Sequence, residues 1–257
     1  MKINLSRFLL ALLAFITGLP LAAGDAKPLK VLWMTGGGFH DYKGLTPSLT
    51  QSIQKYANVT FEVEWDYKKL AKPGYADGYD VVVYFFSQHD KDGKPIVDNI
   101  AATIRAGKPA VFIHGTTHSF RALERDAYCE SIGMTSTRHD KAGPIATKKA
   151  EDHPISRFWP ANWKTEKDEL YENVKFWPNA KPLMTAYSDT SKKDQVVTWV
   201  NQYGKARVFG TTLGHGPPTT DMPVYHQLLA NGLLWVCNQL DDAGQPKPGF
   251  GGTGAAK

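Results

Sequence analysis

Cysteine is scarce: Cys129 and Cys237 are the only two among 257 residues, so at most one disulfide can form, and a structural bridge between them is the leading expectation if the chain is exported. A second feature in short supply is clustered basic charge. The net charge is +5, yet the lysines stand singly or in pairs, as in Lys68-Lys69, Lys148-Lys149 and Lys192-Lys193. Without a basic run or an aromatic-basic ladder, nucleic acid binding is excluded and a solvated basic surface is expected. No internal repeat occurs, and no metal motif of fixed local spacing, Walker loop or dinucleotide fingerprint is found.

Long apolar runs are also missing except at the start. Lys2 and Arg7 precede the stretch Phe8 to Leu21, which Gly18 and Pro20 interrupt and small residues around Ala22, Ala23 and Gly24 follow. The run is shorter than the roughly 18 to 20 residues that cross a bilayer. It reads as a signal peptide over residues 1–26, cleaved near Ala23 to Ala26. A periplasmic or secreted protein is therefore expected, with no stable membrane association after cleavage and with either a monomer or an oligomer compatible.

The rest suits one α/β domain over residues 27–240. Leu29 to Thr35, Asp80 to Phe86 and Pro109 to His114 are continuous apolar runs of the kind found in parallel strands buried on both faces, and Thr60 to Trp65 alternates like a half-buried strand. Between them, Thr46 and Pro47 suggest the cap and first turn of a helix that runs to Tyr56. Ile96, Ile100 and Ile104 mark a second helix, closed by Gly107. Leu183 to Tyr187, Gln195 to Asn201 and Ala206 to Leu213 supply late strands, and Met222 to Leu240 a closing helix. This is doubly wound grammar: a mostly parallel sheet with helices on both faces. Ala127 to Lys181 looks like an elaborate insertion with exposed aromatics. Residues 241–257, rich in Gly, Pro and Ala, read as a disordered tail.

In such a sheet, ligands bind beyond the carboxyl ends of the strands. Polar residues gather there four times: Gly36-Gly37-Gly38-Phe39-His40-Asp41, Ser87-Gln88-His89-Asp90, His114-Gly115-Thr116-Thr117-His118 and Thr211-Thr212-Leu213-Gly214-His215-Gly216. Joint placement of His40, His114 and His215 at one edge points to a functional site. Gly37 and Gly38 could let a phosphate or sugar hydroxyls approach backbone N–H groups, or could simply form a tight turn.

At these points the sequence resembles the trehalose-utilisation (ThuA-like) family, a branch of the class I glutamine-amidotransferase-like superfamily with a flavodoxin-like sheet. The matching pieces are Thr35 to Asp41, Phe112 to Gly115, Asp152-His153-Pro154-Ile155, Asp168-Glu169-Leu170-Tyr171, and Gly204 to Phe209 through Leu213 to Gly216. The resemblance implies a single flavodoxin-like domain and carbohydrate chemistry on an oxidised or keto-sugar. Amidotransferases need a cysteine in the turn after a central strand; His114-Gly115-Thr116-Thr117 has none, which excludes glutamine hydrolysis. Thr116 or Thr117 as a substitute nucleophile is the weaker reading beside a helix cap.

The resemblance also singles out Glu169, with Tyr171 as a hydroxyl partner; His114 and His40 join Glu169 as the candidate acid–base residues from their placement at the strand ends. Gly37, Gly38, Thr116, Tyr171 and Trp163 are the expected substrate contacts. Metal-free acid–base chemistry is the first expectation, and a divalent metal such as zinc on His40, Glu169 and His215 the second. Against an enzyme stands a non-catalytic carbohydrate-binding protein in which Trp159, Trp163 and Trp177 stack on sugar rings. A third reading keeps the fold without the chemistry and predicts histidines that do not converge.

Overall fold

The computed structural model describes residues 26–254; the expected signal peptide falls almost entirely outside them. Among the described residues no helix is long and apolar enough to cross a membrane.

The apolar runs become strands because each alternates its side chains between two buried faces. In β1 (Leu29–Gly37), Val31 and Trp33 enter one core while Leu32 and Met34 enter the other. β3 (Val81–Ser87) and β4 (Ala110–Ile113) split in the same way, as a period of two requires. α1 (Tyr42–Ile53) and α5 (Pro223–Val236) cover the first face; α2 (Lys94–Ala106) and α3 (Asp126–Ile132) cover the second. The remaining elements are β2 (Val59–Glu64), β5 (Met134–Thr135), β6 (Thr147–Lys149), β7 (Lys175–Phe176), β8 (Lys181–Ser188), β9 (Lys193–Tyr203), β10 (Ala206–Thr211) and the short α4 (Pro217–Thr220).

The main sheet has the order β2-β1-β3-β4-β10-β9-β8-β6. Its first five strands are parallel, and β9, β8 and β6 continue antiparallel. The doubly wound, mostly parallel sheet read from the sequence is therefore present. The chain leaves β1 toward β2 on one side and returns to β3 on the other, so a crevice opens beyond the ends of β1 and β3, where ligands bind in open α/β sheets.

Several local expectations are corrected. α1 starts at Tyr42, capped by the Asp41 side chain, which accepts from the Gly44 amide at 3.0 Å; Pro47 lies inside the helix. Thr46 points inward, its Oγ1 2.9 Å from that of Thr35. α5 stops at Val236, four residues before the expected end. Cys129 and Cys237 are both free thiols, packed in the two opposite cores, so the expected bridge is absent. Trp159 and Trp163 are buried against one another, ring centroids 4.4 Å apart, because the insertion uses its aromatics to build its own share of the core.

The expected disorder after Asp241 is also overturned as far as Gly254. That segment crosses back over the start of the fold through main-chain bonds from Thr253 to Gln54 and from Asn58 to Phe250. Asn58 is the clip: its Nδ2 donates to Ala26 O at 3.0 Å and to Gly249 O at 2.9 Å. Few apolar residues are needed when the backbone is satisfied this way. Asn58→Ala is expected to cost about 1–2 kcal/mol and to speed hydrogen exchange at residues 249–254 selectively; unchanged exchange there would show that the clip does not hold the strap.

Candidate active site

Four adjacent strands bring the polar segments together. β1 ends in Gly36 and Gly37, at φ 116° and 99°. A Cβ on Gly37 would lie 2.0 Å from Ser87 O, so the close approach of the β1 and β3 ends demands glycine here. Gly38 follows, its amide donating to Ser87 O at 3.2 Å. Neither glycine lines the crevice, contrary to the expectation that they hold substrate. They turn the chain so that Phe39 and His40 do.

β4 delivers His114 at a sharp elbow with φ 45°, a left-handed value that is costly for a side chain of this size. Its Nδ1 lies 2.6 Å from Thr212 O, beyond the end of β10. A carbonyl only accepts, so Nδ1 carries a proton and the ring turns its Nε2 toward Tyr171 and Glu169. Thr116, an expected substrate contact, is fully buried beneath the elbow instead. It donates to Tyr84 O at 2.8 Å and accepts from Phe86 N at 3.1 Å, pinning β4's exit to β3. Trp163 lies in the core and not at the crevice.

The insertion supplies the remaining wall. Segments 139–147 and 164–171 run antiparallel, joined at His139 and Tyr171, Gly143 and Asp168, and Ala146 and Lys164. Extended backbone sends neighbouring side chains opposite ways, which separates the acidic pair. Asp168 is fully buried and accepts from the amides of Glu169 at 2.8 Å, Gly214 at 2.8 Å and His215 at 3.1 Å. Glu169 faces the crevice, Oε2 3.4 Å from His114 Nε2 and 3.3 Å from His215 Nδ1. Tyr171 places its hydroxyl 3.3 Å from His114 Nε2 and its ring flat on His118, centroids 3.7 Å apart.

His40, His114 and His215 thus converge as the strand ends implied, with one ligating nitrogen from each lying within 4.8 Å of the others. Burial, reinforced by His114 and His215, lowers the His40 pKa to about 3, so this ring is neutral. Its Nδ1 is buried without a hydrogen-bond partner. Burial raises the Glu169 carboxyl, but His114 and His215 outweigh it and hold the acid well below the usual range. The hydrogen bond to Glu169 chiefly raises the His215 pKa. The centre therefore gathers three imidazoles around one carboxylate, with His114 Nε2 and His215 Nδ1 both within 3.4 Å of Glu169 Oε2. Such an arrangement fits a proton or a divalent cation, and three imidazoles beside a carboxylate suit zinc-like ions.

The crevice, about 180 Å³ in volume, is further lined by Ser87, His89, His118, Arg121 and His139. His89 and His118 stand in the polar segments marked in the sequence. Arg121 and His139 escaped notice because they sit in irregular chain without periodicity. The sequence signal for Arg121 is its position just past the His114 turn, and His139 has none.

His118 gives the fold an acid-sensitive element. Burial, then His114 and His139, lowers its pKa to about 2, against an ordinary 6.5 in the unfolded chain. Between those values the unfolded state binds a proton that the folded state does not, so stability falls as pH drops below 6.5, by about 1.4 kcal/mol per unit for this group. Urea denaturation at pH 7.5 and 5 should show the loss, and His118→Phe, which keeps the stack on Tyr171, should flatten it by about 2 kcal/mol; an equal slope in the variant would assign the effect elsewhere.

Comparison with known proteins agrees with this architecture. The family model described as trehalose utilisation (ThuA) matches residues 30–236. A ThuA-like protein from Parabacteroides merdae superposes with a TM-score of 0.67 at 19% identity, covering 88% of this chain and 97% of its own. One from Bacteroides uniformis gives 0.70 at 15%, covering 89% and 99%. A β-galactosidase from Rahnella shares the fold over 31% of its length, with a TM-score of 0.56 at 13% identity and 81% of this chain covered. No curated protein matches.

Proposed function

From the premise that this chain belongs to the ThuA, or trehalose-utilisation, family, we propose that it is an exported enzyme acting on an oxidised sugar, with a divalent cation held by His40, His114 and His215 and with Glu169 as base. One observation carries the reading: three imidazole nitrogens from three strand ends lie within 4.8 Å of one another, beside a carboxylate. The cation would act as a Lewis acid on a sugar carbonyl. The chain's own groups do the rest. Thr212 fixes the His114 tautomer, and Asp168 fixes the backbone that presents Glu169 and His215. Glu169 removes a proton from the carbon next to the carbonyl and returns it, to the neighbouring carbon in an isomerisation or to the departing oxygen in an elimination. Phe39, 76% exposed at the crevice mouth, offers an apolar surface to one face of a sugar ring.

The test is elemental analysis of the purified wild type and of the His40→Ala and His215→Ala variants, followed by assay of the loaded protein on a keto-glycoside. About one equivalent of metal in the wild type, lost in both variants, together with turnover supports the proposal. Metal-free protein with turnover would leave acid–base catalysis alone. Sugar affinity without turnover would make this a carbohydrate-binding protein.

A further inference from the structure

Among the described arginines, five are engaged. Arg138 and Arg157 pair with Glu172 and Asp152. Arg125 is buried on the carbonyls of Thr117, Ser119 and Ser136. Arg105 bonds the Tyr203 hydroxyl, and Arg207 lies over the Trp235 ring. The sixth, Arg121, lines the crevice. Its Nη1 donates to Thr137 O at 3.0 Å, which anchors the guanidinium, and no ion pair among the described residues uses it. The single carboxylate in the crevice lining, Glu169, already faces His114, His139 and His215.

We infer that Arg121, with His89 and His118 beside it, forms an anion subsite, and that the sugar processed here carries a carboxylate. The inference rests on the carbohydrate reading above and narrows it to sugar acids. An anchored guanidinium with free N–H groups offers a carboxylate two parallel bonds, a geometry that ammonium cannot match. The cationic field already reaches the neighbouring imidazoles: burial first, then Arg121 and Arg125, lower the His89 pKa, and Arg121 contributes to the same effect at His118. An anion would relieve that field. A crevice of about 180 Å³ accommodates a single ring with its acid group on the Arg121 side and its carbonyl side toward Glu169.

Calorimetric titration of the metal-loaded full chain with D-glucuronate, D-glucose and inorganic phosphate tests this, in wild type, Arg121→Gln and Arg121→Lys. Glucuronate should bind the wild type about tenfold or more tightly than glucose, the ratio falling to about one in Arg121→Gln and lying between in Arg121→Lys, with metal content unchanged. A preference that survives Arg121→Gln would place the carboxylate on the histidine centre and overturn the inference, as would equal affinities in the wild type. Phosphate binding lost in Arg121→Gln, with neither sugar bound by any form, would keep the anion subsite while rejecting both the sugar-acid assignment and the carbohydrate reading beneath it.

Discussion

Asp168→Asn should weaken divalent-metal binding by about 10- to 100-fold and lower stability by about 1–3 kcal/mol, although Asp168 touches neither metal nor substrate in the proposed scheme. The reason is where its oxygens go. Oδ1 accepts from the amides of Glu169 and His215, and Oδ2 accepts from that of Gly214. One fully buried carboxylate thus ties the segment that carries Glu169 to the loop that carries His215. Replacing one oxygen by an NH2 group sets donor against donor, and at least one amide is left unsatisfied in a place that water does not reach. The loop must move to relieve it, and His215 moves with the loop. Chelator-competition titration and urea denaturation separate the two effects. A loss of stability with unchanged metal affinity would reduce Asp168 to a structural staple.

That role could not be read from the sequence, where Asp168 and Glu169 appear as an undivided acidic pair. Only the extended backbone of the insertion shows that they point opposite ways. What could be read follows from strong, local physics. Apolar runs such as Val81 to Phe86 can be satisfied only by burial on both faces, so the parallel sheet was legible, and with it the strand ends where His40, His114 and His215 meet. The insertion was not. Its backbone is satisfied by scattered bridges between distant segments, which leave no period in the chain, and Trp163 looked exposed because nothing nearby in sequence announces the core it joins. The strap after Asp241 failed for the same reason: composition reports the lack of apolar side chains, while Asn58 supplies hydrogen bonds from almost two hundred residues away.

Glu169→Gln sharpens the chemical proposal further, because metal content, KM and kcat report different roles of this carboxylate. As the base, Glu169 is expected to contribute about 10²- to 10⁴-fold to turnover, and the glutamine, which has no proton-accepting carboxylate, should lose that factor in kcat with KM little changed. Metal content should stay near the wild-type level, since His40, His114 and His215 supply the three nitrogen ligands. In the metal-free protein the substitution should lower the melting temperature, because His114 and His215 hold the Glu169 carboxyl well below its usual range and so favour the folded carboxylate. Glu169 Oε2 lies 3.4 Å from His114 Nε2 and 3.3 Å from His215 Nδ1, and a neutral amide loses the charge in both interactions. A fall in kcat with metal content and KM retained marks the carboxylate as the base, separately from its share in stability. Loss of the metal in Glu169→Gln would instead make Glu169 a fourth ligand and pass the base to another group in the crevice, with His139, whose Nε2 stands 3.7 Å from Glu169 Oε1, the nearest imidazole outside the triad.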